Sequence, residues 1–105
     1  MPTDDLIVRD NPARHRFEID LGDGQFAIAE YTLPEGRIMF THTEVPKAHG
    51  GKGIGTRLIV AGLAAARERG LKVIPICPFF TRYMKEHAEV QDLLDPSYRS
   101  TNGLA

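Results

Sequence analysis

At 105 residues and 42% hydrophobic side chains, the chain has material for one small domain (1–105) and no room for a second core. Its formal net charge of −1 excludes a domain whose main task is coating nucleic acid or an anionic membrane, because both need a basic excess; any anion site must be local. A single cysteine and the lack of a basic-then-apolar N-terminal stretch are those of a cytoplasmic protein in a reducing compartment.

In chain order, residues 1–13 are polar apart from Leu6, Ile7 and Val8, and read as a frayed start followed by a short extended arm, with a turn at Asn11-Pro12. From Arg16 to Leu21, Phe17, Ile19 and Leu21 alternate with Arg16, Glu18 and Asp20, the two-residue period of a strand with one buried face. Gly22-Asp23-Gly24 supplies a hairpin turn, and the return strand runs from Phe26 through Thr32. After a turn at Leu33-Pro34-Glu35-Gly36, Arg37 to Val45 is the third strand of a meander. Strict alternation would put Ile38, Phe40, His42 and Glu44 on one face and Met39, Thr41, Thr43 and Val45 on the other.

A helix follows from Ile54 to Arg69, where Leu58, Ile59, Gly62, Leu63 and Ala66 form one apolar stripe, and Gly70 suits its C′ position. Lys72 to Cys77 reads as a short strand that a strand–helix–strand order makes parallel to the third. Pro75 within it marks an edge or the end of pairing. Pro78 opens a second helix through Phe79, Phe80, Tyr83, Met84 and His87. A short helix or turn at 89–94 precedes a polar, loose tail from Ser97. The fold class is α/β with a mixed sheet. No apolar run approaches the ~20 residues needed to span a bilayer. His15, His42, His49, His87 and Cys77 lack metal-ligand spacing, so no metal is expected.

The chemistry concentrates between Val45 and Leu58, where Gly50, Gly51, Gly53 and Gly55 join a strand to the long helix with Lys52 among them. Glycines there admit positive φ and close approach, and the first helical amides have no intrahelical acceptor. Such a loop either makes a tight turn and nothing more, or cradles a phosphate on the positive end of the helix. Four glycines in six residues favour the cradle. The spacing is not Gly-x-x-x-x-Gly-Lys-Ser/Thr, which rules out a P-loop nucleotide site.

Thr41-His42-Thr43-Glu44-Val45-Pro46 followed by Gly51-Lys52-Gly53-Ile54-Gly55 resembles the acetyl-CoA-binding core of the GCN5-related N-acetyltransferase superfamily, whose loop pattern is Gln/Arg-x-x-Gly-x-Gly/Ala. Gly53 and Gly55 match its small positions; Gly50 stands where the pattern has Gln or Arg, with His49 and Lys52 beside it as replacements. Cys77-Pro78-Phe79-Phe80, with Tyr83 and Glu86-His87 after it, is similar to a small acetyltransferase-like subfamily, labelled YjdJ-like, that lacks the superfamily's last strands. The resemblance covers residues 15–95. It implies a minimal acyl-CoA N-acyltransferase-like fold, an antiparallel meander and then β-α-β-α, with the sheet splayed between the third strand and the parallel strand. It also implies acetyl-CoA or coenzyme A as cofactor, held by Thr43, Glu44, Val45, His49, Gly50, Gly51, Lys52, Gly53, Ile54, Gly55, Thr56, Cys77, Phe79 and Tyr83.

Acyl transfer to an amine needs a proton acceptor and an acid for the leaving thiolate. Tyr83 stands where the resemblance places that acid, or is a core aromatic. His42 and Glu44, two apart on one strand, are relay candidates, or a satisfied imidazole and a solvated carboxylate. Cys77, just before a helix start that favours an anion, is either a nucleophile for a ping-pong route or a small buried hydrophobe. The implied function is an N-acetyltransferase acting on an amine of a small molecule or a lysine-bearing peptide. The alternative is a coenzyme A-binding module with little catalysis. The missing final strands leave an open acceptor side that a large acceptor or a homodimer would complete; no membrane or nucleic-acid partner is expected.

Overall fold

The computed structural model describes residues 6–99, so the frayed start read at residues 1–5 and the end of the tail lie outside the described residues. Strands β1 (Val8–Asn11), β2 (Arg16–Asp20), β3 (Phe26–Thr32), β4 (Arg37–Glu44) and β5 (Lys72–Pro75) form one sheet in that spatial order. The first four are antiparallel and β5 joins β4 in parallel, giving a mixed sheet. Helices α1 (Ile54–Arg69) and α2 (Pro78–Glu86) and a short α3 (Pro96–Arg99) complete the described elements, with 3-10 turns at Pro12–Arg14, Lys47–His49 and Ala88–Leu93. Among the described residues no helix is long and apolar enough to cross a membrane.

The alternation in β2 and β3 buries Phe17, Ile19, Ala27, Ala29 and Tyr31, while their neighbours face outward and Arg16 Nε donates to Glu18 Oε2 at 2.8 Å. Helix α1 lays Leu58, Ile59, Leu63 and Ala66 over the same core, joined by Phe80 and Met84 from α2. Each of these side chains larger than Ala66, taken fully out of water, contributes about 1.5–3 kcal/mol. Gly70, left-handed at φ 69°, ends α1: its amide donates to the Ala66 and Arg67 carbonyls, and the Leu71 amide donates to Ala66. At the far end of α1, Arg69 Nη2 and the Tyr31 hydroxyl both donate to the Asp10 carboxylate, at 2.8 and 2.6 Å, tying helix, β3 and β1 together.

The structure departs from the sequence reading at four places. The N-terminal arm pairs with β2 as β1, so Arg37–Glu44 is the fourth strand of the meander rather than the third. Strict alternation fails in β4: Tyr31 pairs with Phe40 but Glu30 pairs with His42, leaving Thr41 as the extra residue of a bulge. The bulge reverses the pleat, so Thr43, not His42, shares the buried side with Ile38 and Phe40, and His42 and Glu44 face solvent. Strand β5 stops at Pro75, two residues early, because proline has no amide for the ladder; Cys77 instead caps α2. The tail does not loosen at Ser97, since Asp95 Oδ2 accepts from the Ser97 amide and hydroxyl and starts α3. The same segment covers the free side of β5, where the Asp95 amide donates to Val73 at 2.9 Å.

Candidate functional site

Parallel pairing of β4 with β5 runs from Arg37–Lys72 to Phe40–Pro75, and one more bond, Cys77 N–H to the Phe40 carbonyl at 2.9 Å, closes it. The bulge at Thr41 falls one residue later. Residues 41–44 therefore keep β3 on one side and have no strand on the other, and the sheet splays there. Beyond the splay the chain turns through Pro46 and Lys47–His49 into the glycines. Gly51 and Gly53 have φ of 79° and 72°, a left-handed conformation that side-chain-bearing residues adopt at a cost of about 1–2 kcal/mol.

Gly53 is the N-cap of α1, and no side chain caps that end. The amides of Ile54, Gly55 and Thr56 thus have neither an intrahelical acceptor nor a capping oxygen. A left-handed residue followed by right-handed ones turns successive N–H groups to one side, an anion-binding concavity reinforced by the helix dipole. At Gly55 the loop's two ends are in ordinary contact, since a Cβ there would lie 3.7 Å from Val45 Cγ2.

A cavity of about 400 Å³ opens on this cradle, lined by Thr43, Val45, His49, Gly50, Gly51, Gly53, Ile54, Gly55, Thr56, Ile59 and Phe79. The residues named from sequence are thus mostly brought together. Ile59 was missed, although it lies one helical turn from Gly55 on the same face of α1. Phe79, 55% exposed, presents an apolar ring at the cavity.

Five of the named residues stand elsewhere. Glu44 and His42 are solvent-facing and share a long hydrogen bond, Nε2 to Oε2 at 3.4 Å. Lys52 is on the surface with Nζ 3.5 Å from His49 Nδ1. Cys77 is buried, outside the cavity lining, and its Sγ shares a hydrogen bond of 3.2 Å with Thr43 Oγ1, bridging the two strands where they part. Tyr83 lines a different and larger groove of about 770 Å³ between α1 and the Ala88–Leu93 turn, with Arg67, Asp92 and Leu93. Its ring stacks on His87 at 3.7 Å, and His87 Nδ1 donates to the Tyr83 carbonyl at 2.8 Å.

Asp23 is a polar contributor that sequence reading left as a turn residue. Its Oδ2 accepts from His49 Nε2 at 2.8 Å across 26 positions of chain, and this bond holds the Asp23 carboxyl below its usual range. Nothing local in Gly22-Asp23-Gly24 signals such a partner.

A sheet that splays beside an uncapped, glycine-rich helix start, with a cavity at the join, defines a mixed α/β protein of strand–glycine loop–helix construction. The comparisons narrow the class. Residues 16–93 match the family model described as GCN5-related N-acetyl-transferase, and the chain belongs to that family. The solution structure of a protein from Staphylococcus aureus, described as a candidate GCN5-like N-acetyltransferase, superposes with a TM-score of 0.67 at 28% identity, covering 86% of this chain and 88% of that one. No curated protein matches the chain. The fold is thus that of the acetyltransferase family, with a sheet of five strands among the described residues.

Proposed function

We propose that this protein binds acetyl-CoA in the glycine-loop cavity and transfers the acetyl group to an amine. The observation that carries the reading is the convergence of the uncapped α1 amides with the strandless side of residues 41–44 on one cavity. When bound, acetyl-CoA would supply an activated thioester, and transfer converts an ammonium and the thioester to an amide and a free thiol with release of one proton. The C–N bond forms, the C–S bond breaks, and one of the two nitrogen protons lost is taken up by the departing thiolate.

The chain's own residues divide the work. The amides of Ile54, Gly55 and Thr56 bind the diphosphate; Gly51 and Gly53 allow it to approach the backbone. Strand β4, with no partner on the β5 side beyond Phe40, offers backbone groups to the amides of the pantetheine arm, as an edge strand pairs with an added one. Val45, Ile59 and Phe79 give that arm apolar contact. His42, oriented by Glu44, takes the amine's proton at the solvent-facing end of the strand. Direct transfer is favoured over a route through Cys77, because that thiol is buried and hydrogen-bonded to Thr43 rather than presented to the cavity. The acceptor is an amine of a small molecule or of a peptide, reached from the open side of the splay or across a second copy. The compartment is the cytoplasm.

A second reading, a coenzyme A-binding module with little catalysis, is favoured by one observation: Tyr83 lies in the other groove, leaving the departing thiolate without that acid. Calorimetric titration with acetyl-CoA, amide-shift mapping and a thiol-release assay over a panel of amines separate the readings. Saturable binding with shifts at residues 43–45 and 49–56 and amine-dependent thiol release is expected. Binding without turnover selects the module, and no heat at millimolar acetyl-CoA rejects both.

A further inference from the structure

The loop that forms the cradle is rich in glycine, and an unrestrained loop of that kind would lose much of its binding free energy to ordering. A side chain of this loop ties it to the rest of the molecule. His49, which lines the cavity and keeps only 15% of its side chain exposed, donates from Nε2 to Asp23 Oδ2 at 2.8 Å. Asp23 is aimed in turn by its own hairpin: its other oxygen, Oδ1, accepts the Gln25 amide at 3.1 Å, and the turn is closed by Leu21 N–H to the Gln25 carbonyl at 3.1 Å and Gly22 N–H to Asp20 Oδ1 at 2.9 Å. With its proton on Nε2, the imidazole presents Nδ1 as an acceptor, and Lys52 Nζ lies 3.5 Å from it. A chain Asp23–His49–Lys52 therefore leads from the β2–β3 hairpin to Lys52 on the surface, whose sequence neighbours Gly51 and Gly53 both line the cavity.

We infer that Asp23 is a positioning residue for the diphosphate cradle: through His49 it pre-orders the glycine loop and orients Lys52, supplying from a distant hairpin the polar contact that Gly50 lacks. Asp23 does not touch the ligand. This rests on the acetyl-CoA reading above, and it predicts that the chain matters only for ligands that carry the diphosphate.

The test compares acetyl-CoA with S-acetylpantetheine, which shares the thioester and arm but has no diphosphate, on the wild-type protein and on Asp23→Ala, Asp23→Asn, His49→Ala and the Asp23→Ala/His49→Ala double variant. Asp23→Ala is expected to weaken acetyl-CoA about tenfold and leave S-acetylpantetheine unchanged. Asp23→Asn, which retains an oxygen acceptor for Nε2–H, should recover most of the loss. The double variant should bind no worse than His49→Ala alone, as two members of one chain require. In the free protein, hydrogen exchange of the amides at 49–53 should accelerate in Asp23→Ala, a readout independent of any ligand. Equal acetyl-CoA affinity in wild type and Asp23→Ala, or equal weakening of both ligands, overturns the latch while leaving the cofactor reading standing. A wild type that binds neither ligand, or binds both equally, removes the diphosphate cradle and the latch together.

Discussion

Gly62 is the position where one methyl group tests the packing argument. It lies mid-helix in α1, buried, and a Cβ built on it would come within 2.9 Å of both Cε1 and Cζ of Phe40 and 3.5 Å of Phe80 Cε2. Carbon contacts are most favourable near 3.5–4.0 Å, so the Phe40 ring would have to retreat by about 0.6 Å or more. It has nowhere to go: Phe40 is fully buried, stacked on Phe80 at 4.0 Å and 10°, and flanked by Phe17 and Tyr31 at 6.3 and 6.5 Å. Two effects oppose each other in Gly62→Ala. Alanine gains about 1 kcal/mol of helix propensity, while overpacking a filled core costs about 1–3 kcal/mol. The clash is against two ring atoms of a locked side chain, so overpacking wins and a net loss of about 1 kcal/mol or more is expected, or roughly 4–8 °C in Tm for each kcal/mol. Urea unfolding followed by circular dichroism measures it. Adding Phe40→Leu should cost less in the Gly62→Ala background than in wild type, because the clash is then relieved. The Phe40 carbonyl also holds the last bond before the splay, so acetyl-CoA affinity should fall several-fold in Gly62→Ala. A Gly62→Ala protein as stable as wild type would refute the reasoning.

Two other perturbations follow from the same contacts. Burial first, and then the hydrogen bond to Asp10, push the Tyr31 phenol up to about 12. The neutral phenol is therefore favoured in the folded state: its stabilisation is complete below the unfolded value near 10 and is lost as pH rises through about 12, by at most about 3 kcal/mol. Wild type should lose stability across that window more steeply than Tyr31→Phe in pH-dependent unfolding; parallel curves would count against the assignment. For Cys77, direct transfer predicts that Cys77→Ala keeps amine acetylation within about threefold and that intact mass after acetyl-CoA incubation shows no acetyl increment on wild type. An adduct on wild type that disappears in Cys77→Ala would restore the covalent route.

Local rules carried the reading far. The period-two alternation of Phe17 and Ile19, the 3.6-period stripe from Leu58 to Ala66, and the glycine at residue 70 each act through neighbours within a few residues, so the start of β2, the bounds of α1 and the glycine loop were readable from the chain alone, while β2 ends at Asp20, one residue before the Leu21 expected. The family resemblance was readable for the same reason, because its loop motif is contiguous. The face of Thr43 was not. A bulge is a mismatch between two strands, and the extra residue at Thr41 exists only relative to Glu30 and Tyr31 across the ladder. That one residue exchanged His42 for Thr43 on the buried side and brought Thr43 against Cys77, where a nucleophile had been one of the two readings.

Tyr83 and Asp23 show the limit in opposite directions. Tyr83 has the residue type and helix position expected of an acid, yet its direction is set by the packing of α2 on α1, which turns it into the neighbouring groove. Asp23 has no motif at all, and meets His49 because the β2–β3 hairpin and the glycine loop come together in space. Sequence decides which segments become strand, helix or cradle, since those choices are paid in local backbone and burial terms; which side chains then meet depends on register, twist and packing angle, quantities that no stretch of chain holds by itself.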